Sequence, residues 1–295
     1  MAKVERVNGV SCTVGESPTW SAAESAWYWV DIPAKRVWRM DASSGATRYW
    51  DNAEMVACVA ARADGGLIAG METGIFSLAL GEAQAATATK LAAPASGLGE
   101  GMRFNDGRCD RQGRFWAGTM FMDMGAARAV GQLYRYDAAR GISAPFVSEL
   151  LTQNGTAFSP DGRTMYLSDS HPQRRMVWAF DYDIADGVPS NRRVFADMTT
   201  YVGRPDGAAV DADGCYWICG NDGGCVLRFT PDGKLDRRID VPMLKPSMCA
   251  FGGKDLDTLL VTSIVSGKPE DAEWGGAVAL LRPGVKGVAE TPFGA

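Results

Sequence analysis

The chain has 295 residues, of which 46% are hydrophobic, and it carries a formal net charge of −5 with a sequence pI near 5.1. This length allows a sizeable core, and the acidic balance without a basic run argues against nucleic acids and anionic membranes as partners. No apolar run approaches the roughly 18 residues of a membrane helix, and the N-terminus MAKVERVNGV lacks a signal-peptide core, so we expect a cytoplasmic globular protein.

Short apolar runs rich in Val, Trp, Tyr and Phe recur along the chain between turns that contain Gly and Asp. Such runs predict many short strands rather than helices. In chain order, the runs are SAAESAWYWVDI (21–32), ADGGLIAGM (63–71), RQGRFWAGTM (111–120), SPDGRTMYLSDS (159–170), DADGCYWICGN (211–221) and GGKDLDTLLVTS (252–263). Each is followed shortly by a partner strand of alternating character.

The spacing of these runs predicts the fold. Their aligned core residues, 40 to 51 residues apart, are Trp27, Leu67, Phe115, Met165, Tyr216 and Leu259. Six units of this length, each of about four strands, are typical of a β-propeller. We therefore predict an all-β, six-bladed β-propeller that forms a single domain over residues 1–295, with VERVN (4–8) completing the last blade.

Polar residues recur about ten or eleven residues before the aligned core positions, where each blade begins the strand that lines the central channel. They are Glu16 in GESPTW, Asn105 in RFNDGRCD, Asn154 in QNGTAFSPDG and Asp206 in RPDGAAVDADG. The comparable place in the last repeat is Ser247, whereas the second repeat has only the apolar Val56 and Ala57.

Converging carboxylates repel one another unless a cation lies between them. The oxygen donors favour Ca²⁺, Mg²⁺ or Mn²⁺ over a structural zinc site, with Zn²⁺ and Fe²⁺ kept as possibilities. The alternative is that Asn and Asp before Gly simply form turns. The pair Asp206-Gly207 is followed closely by a second pair, Asp213-Gly214, which fits a hairpin turn by itself. The shared phase in the repeat and the presence of Glu16 favour one divalent metal ion in the channel.

Several motifs together resemble the SMP-30/gluconolactonase/regucalcin-like family. They are GESPTW, RFNDGR with GRFWAGTM, NGTAFSPDG, YLSDS with FDYD, RPDGAAVDADG and CAFGG, which run from about Gly15 to Ser263. The resemblance implies a six-bladed propeller that hydrolyses sugar lactones with one divalent metal in its channel. It implies that the metal ligands are Glu16, Asn154 and Asp206.

The same resemblance implies substrate-binding residues. Asn105 would lie close to metal and substrate, Arg103 would contact substrate oxygens, and Asp123 in GTMFMD would bind sugar hydroxyls. The preceding MFM differs from the smaller and more acidic residues of animal members, which leaves the sugar open. We further expect Asp206 to be the general base that activates water beside the metal. A nucleophilic-serine mechanism is disfavoured, since no G-x-S-x-G elbow is present and the one histidine is His171.

His171, in YLSDSHPQRR, falls in a loop near a channel mouth and is a candidate substrate contact; the role of the neighbouring Arg174 and Arg175 stays open. The leading hypothesis is a lactonase acting on a small-molecule sugar lactone. A phosphotriesterase and a non-catalytic calcium-binding propeller are the alternatives. We also expect a monomer, because no long apolar surface stretch is visible, and seven reduced cysteines.

Overall fold

The computed structural model describes residues 3–295, which form six antiparallel β-sheets. Each sheet is one blade, and the six innermost strands contact one another in sequence around a closed ring. The predicted six-bladed β-propeller is therefore confirmed. None of the helices within residues 3–295 is long and apolar enough to cross a bilayer.

The strands of the blades follow the chain from the channel outwards. The first strand is β1 (Val4–Arg6), which belongs to the last blade. Blade one contains β2 (Gly15–Ser21), β3 (Ala26–Asp31), β4 (Arg36–Asp41) and β5 (Thr47–Asp51). Blade two contains β6 (Val56–Ala61), β7 (Leu67–Met71), β8 (Ile75–Ala79) and β9 (Thr87–Ala92). Blade three contains β10 (Met102–Cys109), β11 (Phe115–Phe121), β12 (Gly131–Asp137), β13 (Gly141–Ile142) and β14 (Val147–Leu150).

The second half repeats this order. Blade four contains β15 (Gln153–Phe158), β16 (Thr164–Asp169), β17 (Met176–Asp183) and β18 (Val188–Asp197). Blade five contains β19 (Arg204–Val210), β20 (Tyr216–Asn221), β21 (Cys225–Phe229) and β22 (Leu235–Asp240). Blade six contains β23 (Pro246–Gly252), β24 (Thr258–Ser263) and β25 (Ala279–Leu281). Within residues 3–295, three short 3-10 helices cover Met124–Ala126, Met198–Thr200 and Pro269–Asp271.

The ring closes through the first strand of the chain. Strand β1 pairs antiparallel with β25, with Val4 opposite Leu281 and Arg6 opposite Ala279. The prediction that VERVN (4–8) completes the last blade is thus confirmed. Because the two ends of the chain share one sheet, blade six cannot form until distant segments meet.

Burial along the strands explains their sequence pattern. The second strand of blade five, β20, is buried at every position, whereas the outermost strand of that blade, β22, alternates between exposed and half-buried residues. Inner strands pack between two neighbouring blades and therefore read as continuous apolar runs, while the outer edge needs only one apolar face. Three fully buried tryptophans, Trp29, Trp116 and Trp217, fill the spaces between blades.

The C-terminal segment, residues 286–293, lies at one end of the channel. This is the end where the innermost strands finish, whereas the polar channel residues lie near the starts of those strands. The backbone of this segment accepts a hydrogen bond from Ala212 at Lys286 and donates one from Phe293 to Ala61. The carboxylate of Glu290 pairs with the buried guanidinium of Arg108. The segment therefore ties together blades five, two and three at the end of the channel away from the candidate site.

Candidate active site

A β-bulge interrupts each of the six innermost strands close to its start. Glu16 and Asn154 directly precede the bulges of their strands. Asn105, Asp206 and Ser247 lie within theirs. Since a bulge turns residues out of the regular ladder, the repeated bulge explains how polar side chains reach one level of the channel from different blades.

Asp206 does not form a turn. Asp206 lies inside strand β19, whereas the later pair, Asp213-Gly214, forms the hairpin connection to β20. Gly214 has a φ of +81° and donates its backbone N–H to the Asp211 carbonyl at 3.0 Å. Asp206 is therefore free to act as a channel residue.

Asp206 forms the centre of a buried cluster. Its Oδ1 accepts a hydrogen bond from the Asn154 side-chain amide, and its Oδ2 accepts one from the Asn221 amide at 2.5 Å. Asp206 and Asn154 are 4% and 3% exposed. The Glu16 carboxylate, also buried, accepts the backbone N–H of Ser17 at 3.2 Å. Blades four and five thus bring Asn154 and Asp206 into direct contact, and the Glu16 carboxylate of blade one lies close enough for the Asp206 charge to add to the effect of burial on its pKa.

The surroundings of the carboxyl groups in this cluster disfavour their charged forms. Burial, together with the charges of Asp206 and Asp106, raises the pKa of Glu16 well above its usual value. Burial raises the pKa of Asp206 to about 7 despite the nearby positive charge of Arg204, and it also raises the pKa of Asp106. One Asp106 oxygen, Oδ1, is buried and has no hydrogen-bond partner among residues 3–295. The charged forms of these carboxyl groups are therefore disfavoured in the metal-free protein, and a bound cation would stabilise them.

The donor chemistry of these residues fits a hard divalent cation. Glu16 and Asp206 offer carboxylate oxygens, and Asn154 offers a carboxamide oxygen, which are the ligand types that Ca²⁺ and Mg²⁺ prefer. Within residues 3–295, no cluster of three Asp, Glu, His or Cys side chains is suited to a metal. A site built from two carboxylates and one amide is consistent with that finding, because Asn is not among those residue types.

Arg103 and Asn105 form a second polar group beside the cluster. Arg103 donates from Nη1 to the Phe104 carbonyl at 2.8 Å and to Asn105 Oδ1 at 2.7 Å. Asn105 donates in turn to the Gln153 carbonyl of blade four at 2.7 Å. Burial lowers the pKa of Arg103 to about 10, so the guanidinium stays charged at neutral pH. The predicted substrate-binding pair is therefore held in a fixed orientation.

Asp123 and His171 lie at the mouth of the channel but not in the cluster. The exposed Asp123 side chain caps a 3-10 helix by accepting the Gly125 N–H at 3.0 Å. His171 is buried; its Nδ1 accepts the Gln173 N–H at 3.2 Å, so Nε2 carries the proton and donates to the Met124 carbonyl at 3.0 Å. Substrate contact by Asp123 or His171 therefore stays a prediction.

The two arginines after His171 are engaged with the protein. Arg175 donates from Nη2 to the carbonyls of Met198, Tyr201 and Gly203 at 2.6 to 2.7 Å. Arg174 donates to the Glu149 carbonyl at 3.3 Å. Arg175 thus anchors the segment that leads into β19, which is a structural role.

Sequence reasoning missed Asn221 and Asp106. Asn221 ends β20 and corresponds in register to Asp31 and Asp169 at the ends of β3 and β16. Those two aspartates accept backbone N–H groups from the segment that enters their own blade. The recurrence of Asp, Asp and Asn at the last position of the second strand was a usable signal.

The bulge of β15 provides a testable link between backbone and site. Gly155 has a φ of +61°, and an added Cβ would lie 2.6 Å from both Ser168 Oγ and the Tyr216 hydroxyl. We expect Gly155→Ala to cost about 2 kcal/mol or more through strain and crowding and to weaken binding of a divalent cation at the predicted site by displacing Asn154. Urea unfolding and calorimetric Ca²⁺ titration measure the two effects.

Gly141→Ala is the matched control. Gly141 has a φ of +74°, yet an added Cβ would meet nothing within 4 Å. This variant should therefore show only the backbone cost of about 1 kcal/mol and keep wild-type Ca²⁺ affinity. Equal losses of stability in both variants, with unchanged Ca²⁺ binding, would contradict the role given to the bulge.

The chain is similar to known proteins in sequence and in structure. Residues 14–265 match the family model described as the SMP-30/Gluconolactonase/LRE-like region. The chain is 39% identical over 285 residues to 6-deoxy-6-sulfogluconolactonase of Pseudomonas putida, with 95% of this chain and 94% of that protein covered. It is 32% identical over 296 residues to pentonolactonase XacC of Haloferax volcanii, with 98% and 97% covered. Regucalcin, a calcium-binding protein from Agrobacterium tumefaciens, superposes with a TM-score of 0.88 at 25% identity, covering 100% of this chain and 98% of that chain.

Proposed function

The chain belongs to the SMP-30/gluconolactonase/LRE-like family, and we propose that it hydrolyses a sugar lactone to the open-chain sugar acid with a divalent cation held by Glu16, Asn154 and Asp206. The observation that carries this proposal is the contact between the buried Asn154 and Asp206 side chains, with the buried Glu16 carboxylate close enough for the Asp206 charge to act on it. The two lactonases that match nearly the whole chain support the reaction. The calcium-binding neighbour supports the cation.

When bound, a divalent cation would supply positive charge that polarises the lactone carbonyl and stabilises the oxyanion of the transition state. Asp206 is the proposed general base, whose carboxylate takes a proton from the attacking water. In the metal-free protein burial raises the pKa of Asp206 to about 7, and a bound cation would lower that pKa, so the carboxylate would be ionised and able to accept a proton near neutral pH. The Asn221 amide fixes the carboxylate by donating to Oδ2.

Arg103 is the proposed substrate clamp. Its Nη1 is used by Phe104 and Asn105, while no hydrogen bond within residues 3–295 uses its Nε and Nη2. These N–H groups can donate to the lactone carbonyl or to ring hydroxyls, and a planar guanidinium does this with little loss of entropy. Asn105 holds the clamp in place, so the lactone would be bound in one orientation beside Asp206.

A panel of lactones tests the proposal. Chelated protein would be titrated with Ca²⁺, Mg²⁺, Mn²⁺, Zn²⁺ and Fe²⁺ while acid release is followed from gluconolactone, pentonolactones and 6-deoxy-6-sulfogluconolactone. We expect hydrolysis of at least one class to vanish on chelation and to return with a metal. Intact lactones in the presence of demonstrably bound metal would favour a non-catalytic binding protein instead.

A further inference from the structure

Arg204, at the start of β19, spreads its guanidinium over three partners. Its Nε donates to Asp222 Oδ2 at 2.8 Å, and its Nη2 donates to Asn221 Oδ1 at 3.0 Å. Its Nη1 donates to the Ser170 carbonyl of blade four at 3.0 Å. The Arg204 side chain is 16% exposed. Arg204 thus ties the rim of blade four to Asn221, the last residue of β20, and to Asp222 directly after it.

The contact with Asn221 decides how that amide is oriented. Asn221 is fully buried and directs its NH₂ group toward Asp206 Oδ2. Its oxygen therefore faces away from the carboxylate, and Arg204 is the donor that it meets. Without the guanidinium, the amide oxygen would be buried without a partner, and a flipped amide would set an oxygen against the Asp206 carboxylate.

The equivalent positions in other blades show why blade five differs. Asp31 and Asp169 stand where Asn221 stands in blade five, and both bind backbone N–H groups. An Asp at position 221 would place another carboxylate against Asp206. An amide avoids that repulsion, but only when its NH₂ end faces Asp206, and in this orientation its oxygen accepts from Arg204.

We propose that Arg204 is a positioning residue for hydrolysis: it orients the Asn221 amide, which holds the Asp206 carboxylate at the angle that proton transfer and cation binding need. This inference rests on the proposed lactonase function. The contacts run from Ser170 through Arg204 and Asn221 to Asp206. Arg204 therefore acts on Asp206 through Asn221 and does not need to touch the substrate.

The test compares Arg204→Met, Asn221→Ala and the double variant in the full-length protein. We expect each single change to lower kcat by about 10- to 100-fold, the range seen when a residue that orients a ligand is removed, with KM little changed. The double variant should be no worse than Asn221→Ala alone, because the two residues act in series. Arg204→Lys should recover only part of the loss, since an ammonium cannot meet all three partners.

Arg114→Met is the matched control. Arg114 is a buried arginine at the opposite end of the channel, paired with Asp110 at 2.6 Å, so its loss affects folding without touching Asp206. Urea unfolding gives the folded fraction of every variant. Wild-type kcat per folded Arg204→Met molecule, or a double variant whose loss equals the product of the single losses, would overturn the proposal.

Calorimetric Ca²⁺ titration separates this proposal from the proposed function. We expect the Ca²⁺ Kd of Arg204→Met to rise by about tenfold and that of Arg114→Met to stay at the wild-type value. If wild-type protein hydrolysed no lactone, the proposed function would fail, but a selective loss of Ca²⁺ affinity in Arg204→Met would still support positioning of Asp206. Equal Ca²⁺ affinities in wild type and Arg204→Met would count against it.

Discussion

Asp206→Asn should lower kcat for lactone hydrolysis by about a thousandfold, the middle of the range for loss of a general base. An amide cannot take the proton of the attacking water, and it removes one of the negative charges around the cation. It also has a single acceptor oxygen, whereas Asp206 accepts from both Asn154 and Asn221. Initial rates of acid release at saturating lactone and metal measure the effect on turnover separately from metal affinity.

The same sequence stretch offers a control. Asp213 is also followed by Gly, but its side chain is 67% exposed and pairs with Arg228 at 2.7 Å in a turn. Asp213→Asn should keep wild-type kcat because Asp213 lies in the turn beyond the other end of β19 from Asp206. In this variant Arg228 keeps its pairs with Asp211 and Asp236. If Asp206→Asn kept more than about a tenth of the wild-type kcat, Asp206 could not be the general base.

Much of the fold was predictable because a propeller repeats one pattern six times. Each second strand is buried on both faces, so its apolar run stands out against the Gly and Asp turns around it. The family was also predicted, from motifs spread over the chain, and it is confirmed by the matching family model. The predicted reaction class agrees with the names of two relatives that match nearly the whole chain. The single sequence did not reveal the bulges, because they depend on pairing with the next strand.

The supporting residues of the site could not be predicted in the same way. Arg204 and Asn221 are 17 residues apart, and their contact depends on the register of β19 and β20. Asp106 follows Asn105 directly, so a turn explained it without a role in the channel. Residues that act through others leave only a weak pattern in one sequence, whereas repeated ligand positions leave a strong one.

The placement of Asp123 shows a different limit. Its motif suggested a contact with sugar hydroxyls, but the structure shows its carboxylate capping a short helix at the surface. The Met124 carbonyl of that helix is held by His171. Both residues therefore organise the loop at the channel mouth, and whether a bound lactone reaches either of them depends on the sugar.

Glu16→Gln should have opposite effects on stability with and without metal. In metal-free protein, Glu16 is a buried carboxyl group whose pKa lies well above its usual value of 4.5 because of burial and the nearby Asp206 and Asp106. Folding therefore becomes less favourable as pH rises above that usual value, since the folded state resists ionisation. A neutral Gln removes this penalty, so metal-free Glu16→Gln should be more stable than wild type at neutral pH by about 1 kcal/mol or more.

Added Ca²⁺ should reverse the order. At a Ca²⁺ concentration about 100 times the wild-type Kd, binding stabilises wild type by about 2.7 kcal/mol, whereas a variant with a Kd about 100-fold higher gains about 0.4 kcal/mol. Urea unfolding in chelator and in Ca²⁺ measures both states, and the exposed Glu82→Gln is the control that should follow wild type. If the Glu16 carboxylate stabilised only the fold, Glu16→Gln would lower the free energy of unfolding by the same amount in chelator and in Ca²⁺. A crossing of the two stabilities therefore identifies Glu16 as a residue kept in the channel for the cation, at the expense of the metal-free fold.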